Sequence, residues 1–388
     1  MENNFKMVAK TLFGFEDLLA KELSMLGAQD IKPGVRNVSF VGDKGFMYKA
    51  NLGLRTAIKI LKPISTFKVV SEQDLYDKIK AISWENYLKA NGSLAVDATV
   101  HSTIFTHSKY IALKTKDAIV DRFRAATGER PNVDLRFPDL KINVHIDKQL
   151  CTVSLDSSGE SLHRRGYKTA TNIAPINEVL AAGLVMLSGW DGQSDFMDPM
   201  CGSGTILIEA AMIACNIPPN LMRKEFAFER WTDWDVDLFE KIEESLLSKT
   251  RDYHFKMLGY DKSPSAVRKA KDNIKNAHLE EFISIKHEDF FKTQKAGDKF
   301  LHMVFNPPYG ERLEQLNVEE FYSNLGSTLK RGYPGTHAWF ITSNLEALKY
   351  VGLRTSRKIK VYNAKLEARF VKYELYEGSK KAKKQQSN

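Results

Sequence analysis

Cysteine is scarce in this chain: Cys151, Cys201 and Cys215 are the three in 388 residues. They show no paired metal-ligand spacing and no disulfide framework, and apolar or small neighbours mark them as buried thiols of a reducing compartment. Long apolar runs are missing too. The longest, such as Val179 to Leu187, fall well short of the roughly 20 residues a membrane span needs. The N-terminus, Met1-Glu2-Asn3-Asn4, lacks the basic-then-apolar pattern of a secretory signal, and no internal repeat is found. These absences argue against a disulfide-stapled secreted domain and a helical membrane protein. The expectation is a soluble cytoplasmic protein without a bound metal.

What is present is ordinary globular composition, 43% hydrophobic and 27% charged, in a chain long enough for two or three domains. The formal charge of +9 admits a polyanionic partner, and equally a solvated basic surface.

The segments alternate in a legible way. Residues 1–65 read as β-α-β-β-α-β: a strand from Phe5, a helix from Phe15 to Leu26, a strand over Val35 to Val41, a short helix through Asn51 and a strand from Ala57. That order suggests a ferredoxin-like unit. A second α+β block, 66–160, carries a helix near Asp74 to Leu88 and a long one from Lys109 to Ala126. It closes on a strand pair around Asp147-Lys148-Gln149. Residues 161–175 form a basic connector in which Arg164, Arg165, Tyr167 and Lys168 can touch phosphate and base, or be a solvated linker. From 176 to 377 strands and helices alternate, which argues for a parallel sheet covered on both faces. The domain closes with an antiparallel hairpin around Asn363-Ala364-Lys365. The lysine-rich tail, 378–388, is expected to be disordered.

Within that last block four loops follow four strands. The first, Asp198-Pro199-Met200-Cys201-Gly202-Ser203-Gly204-Thr205, is a glycine turn between strand and helix. Gly202 and Gly204 clear space for a ligand against backbone N–H groups, and Asp198 can accept from a ligand ammonium. It is neither a P-loop nor a full dinucleotide fingerprint, since Leu207 stands where a third glycine belongs. A plain packing turn is the alternative. Asp261 follows the next strand, placed to hold two ribose hydroxyls or to cap a helix. Asp289 and Phe290 follow the third, placed to take an adenine amino group and its ring, or to be a turn acid beside core aromatics.

Asn306-Pro307-Pro308-Tyr309 follows the fourth, the apolar run Leu301 to Phe305. The Asn306 side-chain carbonyl and the Pro307 main-chain carbonyl supply two acceptors for an exocyclic NH2, and Tyr309 can lie against an unstacked base. All four loops would share one edge of the sheet. Together they point to a nucleoside cofactor carrying an ammonium, S-adenosylmethionine, and to methyl transfer onto an amine. An aromatic NH2 is a poor nucleophile because its lone pair enters the ring. Accepting both its protons favours the pyramidal, attacking form, a stabilisation specific to the transition state. No strong general base is required, because the proton leaves after nitrogen becomes cationic.

The region from about Ser161 to Phe370 resembles the class I S-adenosylmethionine-dependent RNA methyltransferases that carry a THUMP domain. Within them it is most similar to the guanine-N2 half of the bifunctional bacterial 23S rRNA methyltransferases. The resemblance is carried by Leu162-His163-Arg164-Arg165-Gly166-Tyr167, Ala174-Pro175-Ile176-Asn177-Glu178, Asp198 through Ala211 and Phe226-Ala227-Phe228-Glu229-Arg230-Trp231. Asn306-Pro307-Pro308-Tyr309-Gly310-Glu311-Arg312-Leu313 and the Tyr362-Asn363 region carry it further. It implies an α/β fold class: a Rossmann-like class I methyltransferase domain over 176–377, preceded by ferredoxin-like (1–65) and THUMP (66–160) domains that grip structured RNA. It places Asn177 and Glu178 at the cofactor's methionine end, where helix capping explains them nearly as well. It makes ribosomal RNA (23S), or a large-subunit precursor, the partner.

The bifunctional relatives continue into a second methyltransferase half, whereas this sequence stops in its lysine tail, so one reaction on one base is expected. Adenine-N6 methylation of RNA or DNA uses the same acceptor geometry and stays open. So does a non-catalytic RNA-binding or assembly protein on a methyltransferase fold. A protein-glutamine methyltransferase would leave the basic N-terminal half without a purpose.

Overall fold

The computed structural model describes residues 4–168, 176–308 and 317–376. Its described residues form two compact units, one of 4–11, 19–162 and 223–245, the other of 12–18, 163–168, 176–222, 246–308 and 317–376.

The first unit is built on β1 (Phe5–Thr11), α1 (Glu16–Leu26), β2 (Gln29–Gly34), β3 (Asn37–Gly42), α2 (Lys44–Gly53) and β4 (Ala57–Lys68). It continues through α3 (Glu72–Ala81), β5 (Ser93–His101), α4 (Ser108–Thr127), β6 (Asn132–Val133), β7 (Leu140–Asp147) and β8 (Leu150–Asp156). All eight strands make one sheet in the order β2-β3-β1-β4-β8-β7-β5-β6. The boundary expected at residue 65 therefore falls inside a strand. β4 pairs with β1 through its first half and with β8 through its second, slipping register between Pro63 and Ser65. A proline is tolerated at such a bulge, where no ladder N–H is needed. Local signals set the helix starts: Asp43 accepts from Phe46 N–H at 2.7 Å and Ser71 from Asp74 N–H at 3.1 Å. The strand expected over Val35 to Val41 is present as β3, but it starts at Asn37: Val35 and Arg36, the latter at φ +57°, form the turn of a hairpin with the unexpected β2.

The second unit contains α5 (Glu178–Leu187), β9 (Asp195–Asp198) and α6 (Thr205–Ala214). After α7 (Val236–Leu247), most of which belongs to the first unit, come β10 (Met257–Asp261), α8 (Pro264–Asn276), β11 (Ile283–His287), β12 (Leu301–Phe305), α9 (Val318–Gly332) and β13 (Thr336–Thr342). β14 (Arg357–Asn363) and β15 (Leu366–Leu375) close it. The sheet order is β11-β10-β9-β12-β13-β15-β14. Strands β9 to β13 are parallel, and β15 runs antiparallel to both β13 and β14. Chain order runs outward from β9 to β11 and then restarts beside β9 with β12. That reversal opens a crevice at the carboxyl ends of β9 and β12, where doubly wound sheets bind ligands. Packing around β10 is close: a Cβ on Gly259 would meet Leu207 Cδ1 of α6 at 2.4 Å and Ile285 Cδ1 of the adjacent β11 at 2.5 Å.

The tryptophan-rich insertion, residues 223–245, belongs to the first unit. Phe228, Trp234 and Phe239 surround Tyr48 of α2 at ring-centroid distances of 4.6, 5.2 and 5.9 Å. No helix among the described residues is long and apolar enough to cross a membrane.

Candidate active site

The turn after β9 takes its shape from hydrogen bonds to its own backbone and to that of β10. Asp198 Oδ1 accepts from Met200 N–H at 3.1 Å, Cys201 N–H donates to Tyr260 O at 2.8 Å, and Gly204 N–H to Cys201 O at 2.8 Å. Gly202 and Gly204 sit at φ +56° and +81°, a region costly for residues with a Cβ. From β10, Asp261 Oδ2 accepts from Gly202 N–H at 2.9 Å and its Oδ1 from Ser263 N–H at 2.8 Å. From α8, the Asn273 amide donates to Ser203 O at 3.0 Å.

These loops enclose a cavity of about 540 Å³. Asp198, Met200, Cys201, Gly202, Ser203 and Thr205 line one side, and Asp261, Asp289 and Phe290 another. Asn306 and Pro308 line a third. Three acids and the asparagine, each after a different parallel strand, thus meet in one place as the sequence expects. Asp198 is buried, which pushes its carboxyl well above the usual range; the nearby Asp261 charge adds to this. Burial likewise raises the Cys201 thiol. Asn306 Oδ1 is buried and has no hydrogen-bond partner among the described residues. A buried acceptor left so costs roughly 1–3 kcal/mol, which an arriving N–H donor would recover.

Other expectations fare differently. Gly204 shapes the turn and Pro307 is buried, but neither lines the cavity. Tyr309, Ala174, Pro175, the 310–313 run and the lysine tail lie outside the described residues. Asn177 caps α5, accepting from Val179 and Leu180 N–H at 2.9 and 3.2 Å, and Glu178 pairs with Lys168 at 3.0 Å. Neither lines the cavity, while their neighbour Ile176 does. Of the basic run, only Arg164 is exposed. Arg165 and Tyr167 are each 1% exposed. Arg165 pairs with Glu209 of α6 at 3.4 Å and donates to Asn220 Oδ1 at 3.1 Å, and Tyr167 OH donates to Glu209 Oε1 at 3.1 Å. The expectation that Arg165 and Tyr167 face RNA is corrected: their polar atoms are used inside the fold, and Lys168 is committed to Glu178.

The cavity also recruits Lys262, Ser263, Lys269, Glu288, Phe291 and Phe321. Lys262, Ser263, Glu288 and Phe291 were within reach of sequence reasoning, since each flanks an acid already singled out. Phe321 was not, because α9 brings it in from another layer. Carboxylates, open glycine backbone and the Phe290–Phe291 pair fit a nucleoside with a cationic end. The orphan Asn306 acceptor fits an amine beside it.

A parallel sheet reversed at β9 and β12, an antiparallel terminal hairpin and this crevice define a class I methyltransferase fold. Residues 165–372 match the family model described as "RMKL-like, methyltransferase domain", residues 69–156 the THUMP domain, and residues 6–61 the "RlmL ferredoxin-like domain". The chain belongs to this RMKL-like methyltransferase family. It is 36% identical to the "Ribosomal RNA large subunit methyltransferase K/L" of Syntrophotalea carbinolica, over 97% of this chain and 54% of that one. It spans about half the length of the K/L relatives. It is 37% identical to the "Putative RNA methyltransferase slr0064" of Synechocystis, over 94% of this chain and 95% of that one. Among solved structures it resembles "SMU.472, a putative methyltransferase complexed with SAH", with TM-score 0.85 and 29% identity, covering 98% of this chain and 100% of that chain.

Proposed function

We propose that this protein transfers a methyl group from S-adenosylmethionine to the exocyclic N2 of a guanine in 23S rRNA. The observation that carries the reading is Asn306 after β12, which lines the same cavity as Asp198 and Asp261 and whose buried Oδ1 has no hydrogen-bond partner among the described residues. When bound, the cofactor supplies an electrophilic methyl on a sulfonium centre. Asn306 Oδ1 accepts one proton of the target amine, holding nitrogen pyramidal and in place; the Pro307 carbonyl, which does not line the cavity as described, would have to turn toward it to accept the other. Asp198 offers its carboxylate to the cofactor's ammonium, Asp261 its oxygens to ribose hydroxyls, and Asp289 an acceptor to the adenine amine, with Phe290 and Phe291 against the ring. Asn177 and Glu178 act at one remove, by setting the start of α5.

The RNA part of the proposal is supported by the matched THUMP domain and by the printed names of the K/L and Synechocystis relatives. Guanine N2 is favoured by the resemblance of the sequence motifs, and a cytoplasmic location follows from a ribosomal substrate. Arg164 remains the exposed basic residue of the connector for RNA contact.

The test is to incubate the protein with labelled S-adenosylmethionine and ribosomal RNA from a strain lacking it, then identify modified nucleosides by mass spectrometry. N2-methylguanosine in 23S rRNA is the expected product. N6-methyladenosine would keep the acceptor chemistry and overturn the substrate. Label only in precursor particles would make the substrate an assembly intermediate. No label in either would leave the non-catalytic RNA-binding reading.

A further inference from the structure

Methyl transfer at Asn306 leaves the Tyr362-Asn363 region without a role, though that region carries part of the resemblance. The strand register shows where it stands. β15 pairs with β13 as far as Arg369 opposite Thr342, the last residue of β13. With β14 it pairs three steps further: Val361 with Ala368, Tyr362 with Glu367 and Asn363 with Leu366. The hairpin therefore overhangs the carboxyl end of β13 by roughly 10 Å, at about 3.3 Å per residue. That is the end at which β9 and β12 open the crevice. β12, β13, β15 and β14 are successive neighbours, so the overhang stands about 10–14 Å to the side of β12 at about 4.8 Å per strand.

The overhang is basic and aromatic. Between Arg357 and Arg369 the hairpin has five basic residues, Arg357, Lys358, Lys360, Lys365 and Arg369, against one acid, Glu367. Glu367 is shared by Lys360 at 2.6 Å and Arg369 at 2.7 Å. Lys358 and Lys365 are exposed, and no hydrogen bond or ion pair to a described residue engages either. Lys360 Nζ lies 5.4 Å from the Tyr362 ring centroid. Phe13 adds a second ring, from the 12–18 loop of the same unit. Phe15 anchors that loop on α5, so closely that a Cβ on Gly183 would collide with its ring, and Glu16 Oε2 accepts from Gly14 N–H at 2.7 Å. Phe13 stays at the surface, 43% exposed, edge-to-face with Tyr362 at 5.4 Å.

One exposed ring alone is ordinary. Here it shares the tip with a second ring and with cations that the fold leaves without counter-charge. An acidic peptide would answer the cations only. Single-stranded nucleic acid answers both, with bases to stack on the ring and a backbone to meet the charge. We propose that the overhang is a docking rim for RNA beside the target nucleotide: Phe13 stacks on an unpaired flanking base, and Lys358 and Lys365 draw in the backbone. This rests on the reading that RNA is the substrate, and adds which surface beside the crevice receives it.

On the full chain, Phe13→Ala, Phe13→Tyr and Lys365→Gln are compared with wild type for binding a large-subunit rRNA transcript, by fluorescence anisotropy over a salt series. Phe13→Ala should weaken binding about tenfold, the usual loss of one base–aromatic stack, with the slope of log K against log salt unchanged. Phe13→Tyr keeps the stacking ring and should bind as wild type does. Lys365→Gln should reduce the slope by about 0.7–0.9, the share of one neutralised phosphate. Calorimetric affinity for S-adenosylmethionine should be the same in every variant, since neither Phe13 nor Lys365 lines the cavity. A loss in Phe13→Tyr equal to that in Phe13→Ala would trace the effect to loop shape and overturn stacking. If wild type binds RNA but Phe13→Ala keeps its affinity or Lys365→Gln its slope, the rim is overturned while the RNA reading stands, and a protein partner fits the surface instead. If wild type neither binds nor methylates RNA, both readings fall.

Discussion

Asp261 Oδ2 accepts from the Gly202 N–H at 2.9 Å, joining the acid that ends β10 to the glycine turn that follows β9. Its other oxygen accepts from Ser263 N–H at 2.8 Å at the start of α8. The carboxylate therefore braces both loops of the crevice in the folded chain itself. Each oxygen keeps a further lone pair, so bracing and holding ribose hydroxyls are compatible.

Asp261→Ala should accordingly weaken S-adenosylmethionine binding by about tenfold or more, losing both the brace and the ligand contacts. Asp261→Asn keeps one acceptor oxygen and should lie between the two. Calorimetric dissociation constants decide it, and an unchanged value for Asp261→Ala would remove the ribose assignment.

Asp198 couples cofactor binding to pH. Burial, helped by the Asp261 charge, raises its pKa in the ligand-free protein. A ligand ammonium beside it would favour the ionised form and lower that pKa again, so binding should release a proton. Affinity should then fall as pH drops through the raised pKa. Calorimetry in buffers of different ionisation enthalpy reads the proton directly, and no buffer dependence would show that Asp198 does not meet the ammonium.

Asn306→Ala should reduce methyl transfer by about 10²–10³-fold, the usual cost of removing one preorganised transition-state hydrogen bond. Affinities for cofactor and RNA should change little. Single-turnover rates alongside the two dissociation constants separate this from misfolding, and an undiminished rate would refute the role of Asn306.

The crevice acids were legible from sharp changes of period, where an apolar strand run gives way to a helix. Asp198 and Asp261 share that signature, Asp289 caps a short 3-10 turn after β11, and Asn306 is marked instead by the prolines that follow the apolar β12; the parallel sheet brings all four to one edge. Arg165 and Tyr167 were misjudged for the opposite reason. A basic, glycine-broken run looks solvated unless its counter-charge is known, and Glu209 lies 44 residues further along. Continuity of the first sheet was hidden in β4, which the boundary expected at residue 65 cuts and which slips register between Pro63 and Ser65. The place of Phe321 depends on how α9 crosses the sheet, which no local pattern encodes.

His302 sets an acid limit on stability. It lies buried on β12 with Nε2 2.8 Å from Ser188 Oγ, and burial pulls its pKa from 6.5 to about 3. Between those values the unfolded chain binds a proton that the folded chain refuses. Stability should be full above about pH 6.5 and fall as pH drops, by about 3 kcal/mol at pH 4. His302→Gln keeps a polar partner for Ser188 without titrating. It should flatten the pH 4–7 dependence of the urea midpoint, and an unchanged slope would assign that dependence to other groups.

Arg165 and Glu209, with fully buried side chains, provide the sharpest separation of a structural role from RNA contact. Removing one member of a buried ion pair strands the other's charge, so Arg165→Met should destabilise by about 3–5 kcal/mol. Combining it with Glu209→Leu removes the stranded charge and should recover much of the loss. The recovery stays partial, because Tyr167 OH and Asn220 Oδ1 lose the partners they had at 3.1 Å. An RNA-facing arginine behaves otherwise: its loss would spare stability, weaken RNA binding and lower the salt slope by about 0.7–0.9. Urea unfolding of the single and double variants, with anisotropy on the folded single variant, distinguishes the two roles. Intact stability together with weakened RNA binding would return Arg165 to the RNA surface.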